Sequence, residues 1–252
     1  MIALEARELA LHFGGIKAVD GISFQVPERS VFTLIGPNGA GKTTVFNLIS
    51  RIYEPTAGRL IFEGRDITTV PPHDIARRGI ARTFQNIELF ENATVLQNLL
   101  LGRHAHAAGN VVAELMFLPG VRRREIAHRE AVERVIDFLN LEPHRDTLIS
   151  GLSYGVRKIV ELGRALCTEP RLLLLDEPSS GLNPEETDDL VFWIQDIRDI
   201  LGITVLMVEH DMGLVSKVSD HVLALNHGQV IASGTPGAVK SDPQVVKAYL
   251  GG

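Results

Sequence analysis

Residues 36–43 read Gly36-Pro37-Asn38-Gly39-Ala40-Gly41-Lys42-Thr43, a complete G-x-x-x-x-G-K-T pattern. An apolar stretch, Val31–Ile35, leads into it, and Thr44-Val45-Phe46-Asn47-Leu48-Ile49 follows directly. A strand, a tight glycine turn and a helix, in that order, is the context this pattern requires to bind phosphate. The glycines let backbone N–H groups converge on an anion, and the helix start adds partial positive charge. Lys42 is placed to reach the β- and γ-phosphates and the Thr43 hydroxyl to ligate Mg²⁺. Gly36 through Thr43, with Thr44 next to them, are therefore the expected contacts of a nucleoside triphosphate.

The rest of the composition says what surrounds such a loop. With 252 residues and 45% apolar content, the chain can bury a large core in one domain or two intimately joined lobes. Its 25 basic and 31 acidic residues leave a net charge of −6, which offers no bulk attraction to nucleic acid. No apolar run approaches the roughly 18 residues that a membrane-spanning helix needs. Glu5 and Glu8 in the first turns argue against a signal peptide. The single cysteine, Cys167, excludes an internal disulfide and fits a reducing compartment. Its apolar helical surroundings read as those of a buried thiol.

Short β-like segments are expected at Leu4–Leu11, Gly21–Val26 and Val31–Ile35, split by Gly14-Gly15 and Pro27, with another at Gly58–Glu63. Much of 92–166 reads helical, with Val132, Val135, Ile136 and Leu139 at i, i+3, i+4, i+7. Leu172-Leu173-Leu174-Leu175 is a continuous apolar run, as expected of a parallel strand covered on both faces. A helix carrying Leu190, Ile194, Ile197 and Leu201 follows, then a buried strand at Ile203–Val208 and a hairpin turning at Asn226-His227-Gly228-Gln229. Strands alternating with helices on either side of a helical insertion imply an α/β core with a separate helical lobe.

The run at Leu172–Leu175 ends in Asp176-Glu177-Pro178, which places two acids at the carboxyl end of a buried strand, the usual ligand edge of such a sheet. Beside a phosphate loop, Asp176 can hold Mg²⁺ through water, and Glu177 can polarise an attacking water at the γ-phosphate. A strand ending in Asp-Glu is by itself an ordinary capped edge. The phosphate loop is what gives the pair a chemical task.

With these residues in place, the chain resembles the nucleotide-binding subunit of an ATP-binding-cassette transporter over essentially its whole length. Gln85 in Thr83-Phe84-Gln85-Asn86 matches the family's Q-loop, and Leu152-Ser153-Tyr154-Gly155-Val156 its signature motif. Ser180-Gly181-Leu182-Asn183 matches the D-loop, His210 in Glu209-His210-Asp211 the switch histidine, and Phe13 the ring that stacks on adenine. The resemblance implies a P-loop ATPase core (about 1–85 and 165–252) with an antiparallel β subdomain, and a helical signature-motif lobe (about 86–164). It implies ATP and Mg²⁺, with Glu177, His210 and Gln85 catalytic and Thr43, Gln85 and Asp176 around the metal. Ser153 and Gly155 would contact a γ-phosphate held by a facing subunit, and Asn183 would serve the D-loop.

Each of these residues has a plainer reading when taken alone. Gln85 would be a loop residue, Leu-Ser-x-Gly a helix cap, His210 a solvated turn residue, and Phe13 core packing. Arg122-Arg123-Arg124 reads as a solvated helix face. Tyr154, Val156 and Asn183 depart from the family consensus, yet the phosphate-contacting Ser153 and Gly155 are intact, so activity is expected to survive.

Arg82-Thr83-Phe84-Gln85-Asn86, Leu89-Phe90, the long insertion after Gly102 and the ending Ala248-Tyr249-Leu250-Gly251 resemble the branched-chain (hydrophobic) amino-acid uptake ATPases. That implies transmembrane permease subunits, a second ATPase subunit (a paralogue or a copy of this chain), an indirect extracytoplasmic substrate-binding protein, and a peripheral place on the cytoplasmic face of the inner membrane. Urea, amide and lipopolysaccharide transporters share much of this pattern. An ABC ATPase acting without a transporter is the rival class, and a small-molecule phosphoryl transferase would leave residues 152–156 and His210 without a task.

Overall fold

The computed structural model describes residues 1–83, 87–106 and 119–250. Gln85 and residues 107–118 of the insertion after Gly102 lie outside these residues. Among the described residues the first elements are β1 (Ile2–Phe13), β2 (Ile16–Pro27), β3 (Val31–Ile35), α1 (Lys42–Ile49), β4 (Ala57–Phe62), β5 (Arg65–Asp66), α2 (Pro72–Ile75) and β6 (Ile80–Arg82). The helical stretch holds α3 (Val95–Gly102), α4 (Pro119–Phe138) and α5 (Tyr154–Leu166). Then come β7 (Leu172–Asp176), α6 (Pro184–Asp199), β8 (Thr204–Val208), α7 (Met212–Val218), β9 (His221–Asn226), β10 (Gln229–Gly234), α8 (Pro236–Lys240) and α9 (Pro243–Leu250).

Residues 1–85 with 171–252 form one compact unit, and 86–170 a second. The first unit holds two sheets. One is antiparallel, ordered β2-β1-β4-β5; the other is ordered β10-β9-β3-β8-β7-β6. In the second sheet β9, β3, β8, β7 and β6 pair in parallel, and β10 returns antiparallel on β9 as the hairpin expected at 226–229. β3, β7 and β8 are buried at every position, the reason their sequences are unbroken apolar runs. β2 instead alternates, with Ile22, Phe24 and Val26 inside and Ser23 and Gln25 outside. Leu4, Leu9 and Val26 of the antiparallel sheet share one core with Leu34, Leu174 and Leu206 of the other and with Phe46 of α1.

Several boundaries differ from those expected. Gly14-Gly15 does not separate two short strands; it is the turn of a hairpin in which Phe13 pairs with Ile16, so β1 and β2 each run longer. Pairing across the turn supplies backbone partners that a sequence window cannot see. β6 had no expected counterpart: three residues are too few to show a period, and it forms by pairing with β7. Leu190, Ile194 and Ile197 are buried on α6, whereas Leu201 lies past the helix end and is exposed.

In the second unit, Thr94 caps α3 in a reciprocal capping box with Gln97. Val132 and Ile136 of α4 are fully buried, as the helical period requires. Cys167, just past α5, is 1% exposed, and burial pushes its thiol up to about 12.

Candidate functional site

The site is built on strand ends. β8 lies between β3 and β7 and runs parallel to both, so the segments following all three emerge at one edge of the sheet. After β3 comes the phosphate loop. A Cβ on Gly36 would run into the Leu225 carbonyl oxygen, and one on Gly41 would stand 2.5 Å from the Ala18 carbonyl oxygen. Glycine is thus demanded at both positions by backbone packed against the loop, besides their φ values of 147° and 102°. Ala40 N–H donates to the Pro37 carbonyl (3.1 Å), and the Ala40 carbonyl accepts from Gly228 N–H (3.0 Å).

Lys42 begins α1 and folds back over this loop. Its ammonium donates to the carbonyls of Gly36 (2.7 Å) and Pro37 (3.1 Å). Burial pushes its pKa below the ordinary lysine value, and the nearby carboxylates of Glu177 and Asp176 pull it back up. An incoming phosphate offers that ammonium a stronger acceptor than two carbonyls. Asn38 and Gly39 are exposed at the loop's tip, Pro37 and Thr44 are partly buried, and Thr43 is exposed on the first turn of α1.

β7 delivers Asp176 and Glu177. Asp176 is buried, and its Oδ2 accepts from the Arg82 guanidinium at 2.8 Å. Arg82, at the end of β6, also donates to Asn47 Oδ1 (2.7 Å) and Ser50 Oγ (3.2 Å) and lies 5.5 Å from the Phe46 ring centre. It therefore ties Asp176 to the helix that follows the phosphate loop. Glu177 adopts φ 50°, an unusual value for a side-chain-bearing residue that costs about 1–2 kcal/mol. Its N–H donates to the Val208 carbonyl (3.0 Å), which fixes that geometry.

Glu209, which follows β8, is fully buried. One carboxylate oxygen accepts from Ser179 N–H (2.9 Å), the other from the N–H groups of His210 (2.9 Å) and Asp211 (3.2 Å). This carboxylate ties residues 209–211 to the segment after Glu177. His210 is exposed, and its Nδ1 lies 4.0 Å from Glu177 Oε2. Asn183 caps α6: its Oδ1 accepts from Glu186 N–H (2.9 Å), and its own N–H donates to Glu186 Oε2 (2.9 Å).

Phe13 presents a half-exposed ring that meets Tyr53 edge-on, with centroids 5.4 Å apart. Together they offer an aromatic platform to a flat base. On the second unit, Ser153 is the N-cap of α5, accepting from Val156 N–H at 3.4 Å, with Gly155 buried in its first turn. Arg157 braces the segment by donating to the carbonyls of Leu152 and Ser150, both at 3.0 Å. Tyr154 is exposed, and the Lys158 ammonium lies over its ring, 5.7 Å from the centre.

Mg²⁺ prefers oxygen donors and is commonly held by one or two protein groups plus substrate phosphates. Thr43 and Asp176 are donors of that kind, and among the described residues there is no larger cluster of His, Cys, Asp and Glu suited to a metal. Four residues of the site had no assigned task in the sequence. Arg82 and Glu209 stood inside quoted motifs as mere context, Tyr53 carried no signal at all, and Tyr249 was only part of an ending. Yet the Tyr249 hydroxyl accepts the Gly36 N–H at 2.8 Å.

Comparison with known proteins points the same way. Residues 19–180 match the family profile described as ABC transporter, and residues 229–252 that described as branched-chain amino acid ATP-binding cassette transporter. The chain is similar to the high-affinity branched-chain amino acid transport ATP-binding protein BraF of Pseudomonas aeruginosa, at 44% identity over 98% of this chain and 97% of that protein. It is 39% identical to LivG of Escherichia coli, with the same two coverages. Among solved structures, an ATP-binding cassette of an ABC transporter in its ADP conformation superposes with a TM-score of 0.87 at 34% identity, covering 100% of both chains. A nucleotide-free cassette superposes at 0.86 with 34% identity, covering 99% of each.

Proposed function

The chain belongs to the ATP-binding-cassette transporter family, and from that membership we propose that it powers uptake of branched-chain or other hydrophobic amino acids. The protein is an ATPase whose hydrolysis of ATP is coupled to transport. The choice of solute is supported by the names of BraF and LivG and by the profile matched at residues 229–252.

One observation carries the hydrolytic reading: the phosphate loop, Glu177 and His210 stand at the carboxyl ends of neighbouring parallel strands, with the last two 4.0 Å apart. ATP enters with its phosphates on the loop, and Lys42 turns from the Gly36 and Pro37 carbonyls to the β- and γ-oxygens. Phe13, with Tyr53, covers the adenine. Thr43 and Asp176, with Gln85, would hold Mg²⁺, which when bound neutralises charge on the β- and γ-phosphates. Glu177 orients the attacking water and takes up its proton. His210 hydrogen-bonds the γ-phosphate and registers its departure. Ser153 and Gly155 serve the nucleotide of a second ATPase subunit, so ATP joins two cassettes and hydrolysis releases them. Those two states drive permease subunits on the cytoplasmic face of the inner membrane, with a substrate-binding protein acting outside. The permeases are met by the second unit, at about residues 86–97.

Glu177→Gln tests the hydrolytic step. It should bind Mg·ATP as the wild type does and lose turnover by two or more orders of magnitude, because an amide accepts no proton. Single-turnover hydrolysis within a few-fold of wild type would remove Glu177 from the catalytic role. The solute is decided by reconstituting the ATPase with the membrane proteins that co-purify with it and measuring ATP-dependent leucine uptake; urea or amide uptake in its place overturns the amino-acid assignment.

A further inference from the structure

The last helix of the chain ends on the phosphate loop. Asp242 opens α9 by accepting from Gln244 N–H at 2.7 Å. Val245, 4% exposed, anchors the helix in a small apolar cluster with Ile35, Val215, Val222, Ala224 and Val239. Ile35 is the residue immediately before Gly36. One helical turn beyond Val245, on the same face, comes Tyr249. Its hydroxyl oxygen accepts the Gly36 N–H at 2.8 Å. Tyr249 is 41% exposed as a residue, and partial burial raises its phenol above the ordinary pKa while the Gly36 hydrogen bond opposes that rise, so the hydroxyl is neutral in the physiological range.

Gly36 is thus gripped on both sides: Tyr249 takes its N–H, and Lys42 donates to its carbonyl at 2.7 Å. The Lys42 contact is given up when that ammonium turns to phosphate, whereas the Tyr249 contact needs no such change. We infer that Tyr249 is a positioning residue for nucleotide binding, its hydroxyl pinning the first peptide of the loop so that the loop stays open to phosphate once Lys42 lets go of it. The side chain reaches no substrate atom itself. Loss of the hydroxyl leaves the Gly36 N–H without its acceptor and lets the loop sample shapes that do not cradle an anion, so binding falls by the share of time spent in them. This inference rests on the reading of the loop as an ATP site.

Tyr249→Phe in the full chain keeps the ring and removes the acceptor. The direct readout is hydrogen exchange at the Gly36 amide, expected to be about tenfold faster or more in the variant. The functional readout is titration with a fluorescent Mg·ATP analogue beside steady-state kinetics. The dissociation constant and KM should rise together by about three- to tenfold, with kcat within about twofold, the loss expected for one hydrogen bond made before chemistry. An unchanged amide exchange rate overturns the contact. A lowered melting temperature with unchanged binding and KM overturns the positioning role and makes Tyr249 a fold residue only. Failure of the wild-type chain to bind the analogue would overturn the ATPase reading and the inference with it, whereas wild-type binding matched by Tyr249→Phe overturns the inference alone.

Discussion

Arg82 and Asp176 form the most consequential ion pair of the described residues, with side chains 8% and 4% exposed. Two charges so far from water persist only when paired and hydrogen-bonded, and Arg82 meets that condition through Asn47 and Ser50 as well as Asp176. Replacing Arg82 with Met leaves the buried carboxylate without its hydrogen-bonded partner, with the Lys42 ammonium the remaining cation near it. Arg82→Met should therefore lower the stability of the nucleotide-free protein by about 3–5 kcal/mol in urea unfolding. Pairing it with Asp176→Asn should recover a good part of that loss, since the charge left uncompensated is then gone. A loss below about 1 kcal/mol in the single variant would remove the pair from its structural role. At this scale the sequence was legible wherever a residue type names its own chemistry: Lys42 after glycines, two acids ending a buried strand. It was silent wherever a task depends on a neighbour distant along the chain. Nothing in Arg82 announces Asp176, nothing in Tyr53 announces Phe13, and a carboxylate that bonds three backbone amides, as Glu209 does, reads in sequence like any other acid.

Among the elements, β3, β7 and β8 were readable because burial on both faces leaves a continuous apolar run. β6 was unreadable because its strand state comes from pairing, and the length of β1 because a glycine pair reads equally as a break or a turn. Caps are the other local signal, and Asn183 shows what a departure from a family pattern can preserve. It makes a full capping box at the start of α6, which needs an acceptor and not a charge. Asn183→Ala should cost about 1 kcal/mol, whereas Asn183→Asp should be neutral or slightly stabilising, the added negative charge lying at a helix N-terminus. Chemical denaturation of both variants checks this. Equal stability of Asn183→Ala and wild type would mean that Pro184 and Glu186 set the helix start without the cap.

For the whole molecule, no helix among the described residues is long and apolar enough to cross a membrane, and membership of the ABC transporter family implies that the ATPase works in association with transmembrane permeases. We propose Phe90 as a residue of that contact. The residue is 61% exposed, yet its backbone is held firmly: its N–H donates to Asn98 Oδ1 (2.9 Å), and Asn98 Nδ2 donates to its carbonyl (3.1 Å). Asn98 is itself fully buried and also donates to the Thr94 carbonyl (3.0 Å), so the loop stands on the capped start of α3. Presenting a large apolar side chain to water from a fixed backbone brings the isolated subunit nothing, and it suits an apolar socket on a partner. The basic run at Arg122–Arg124 is exposed along α4 and is the alternative site of contact. Phe90→Asp should leave the ATPase rate of the isolated subunit within about twofold of wild type, since the ring supports no described part of the hydrolytic site. In vesicles reconstituted with the permeases, transport should fall by about tenfold or more, because a charge buried in an apolar socket costs several kcal/mol. Normal transport by Phe90→Asp, with loss on neutralising Arg122, Arg123 and Arg124, would move the contact to the basic face of α4.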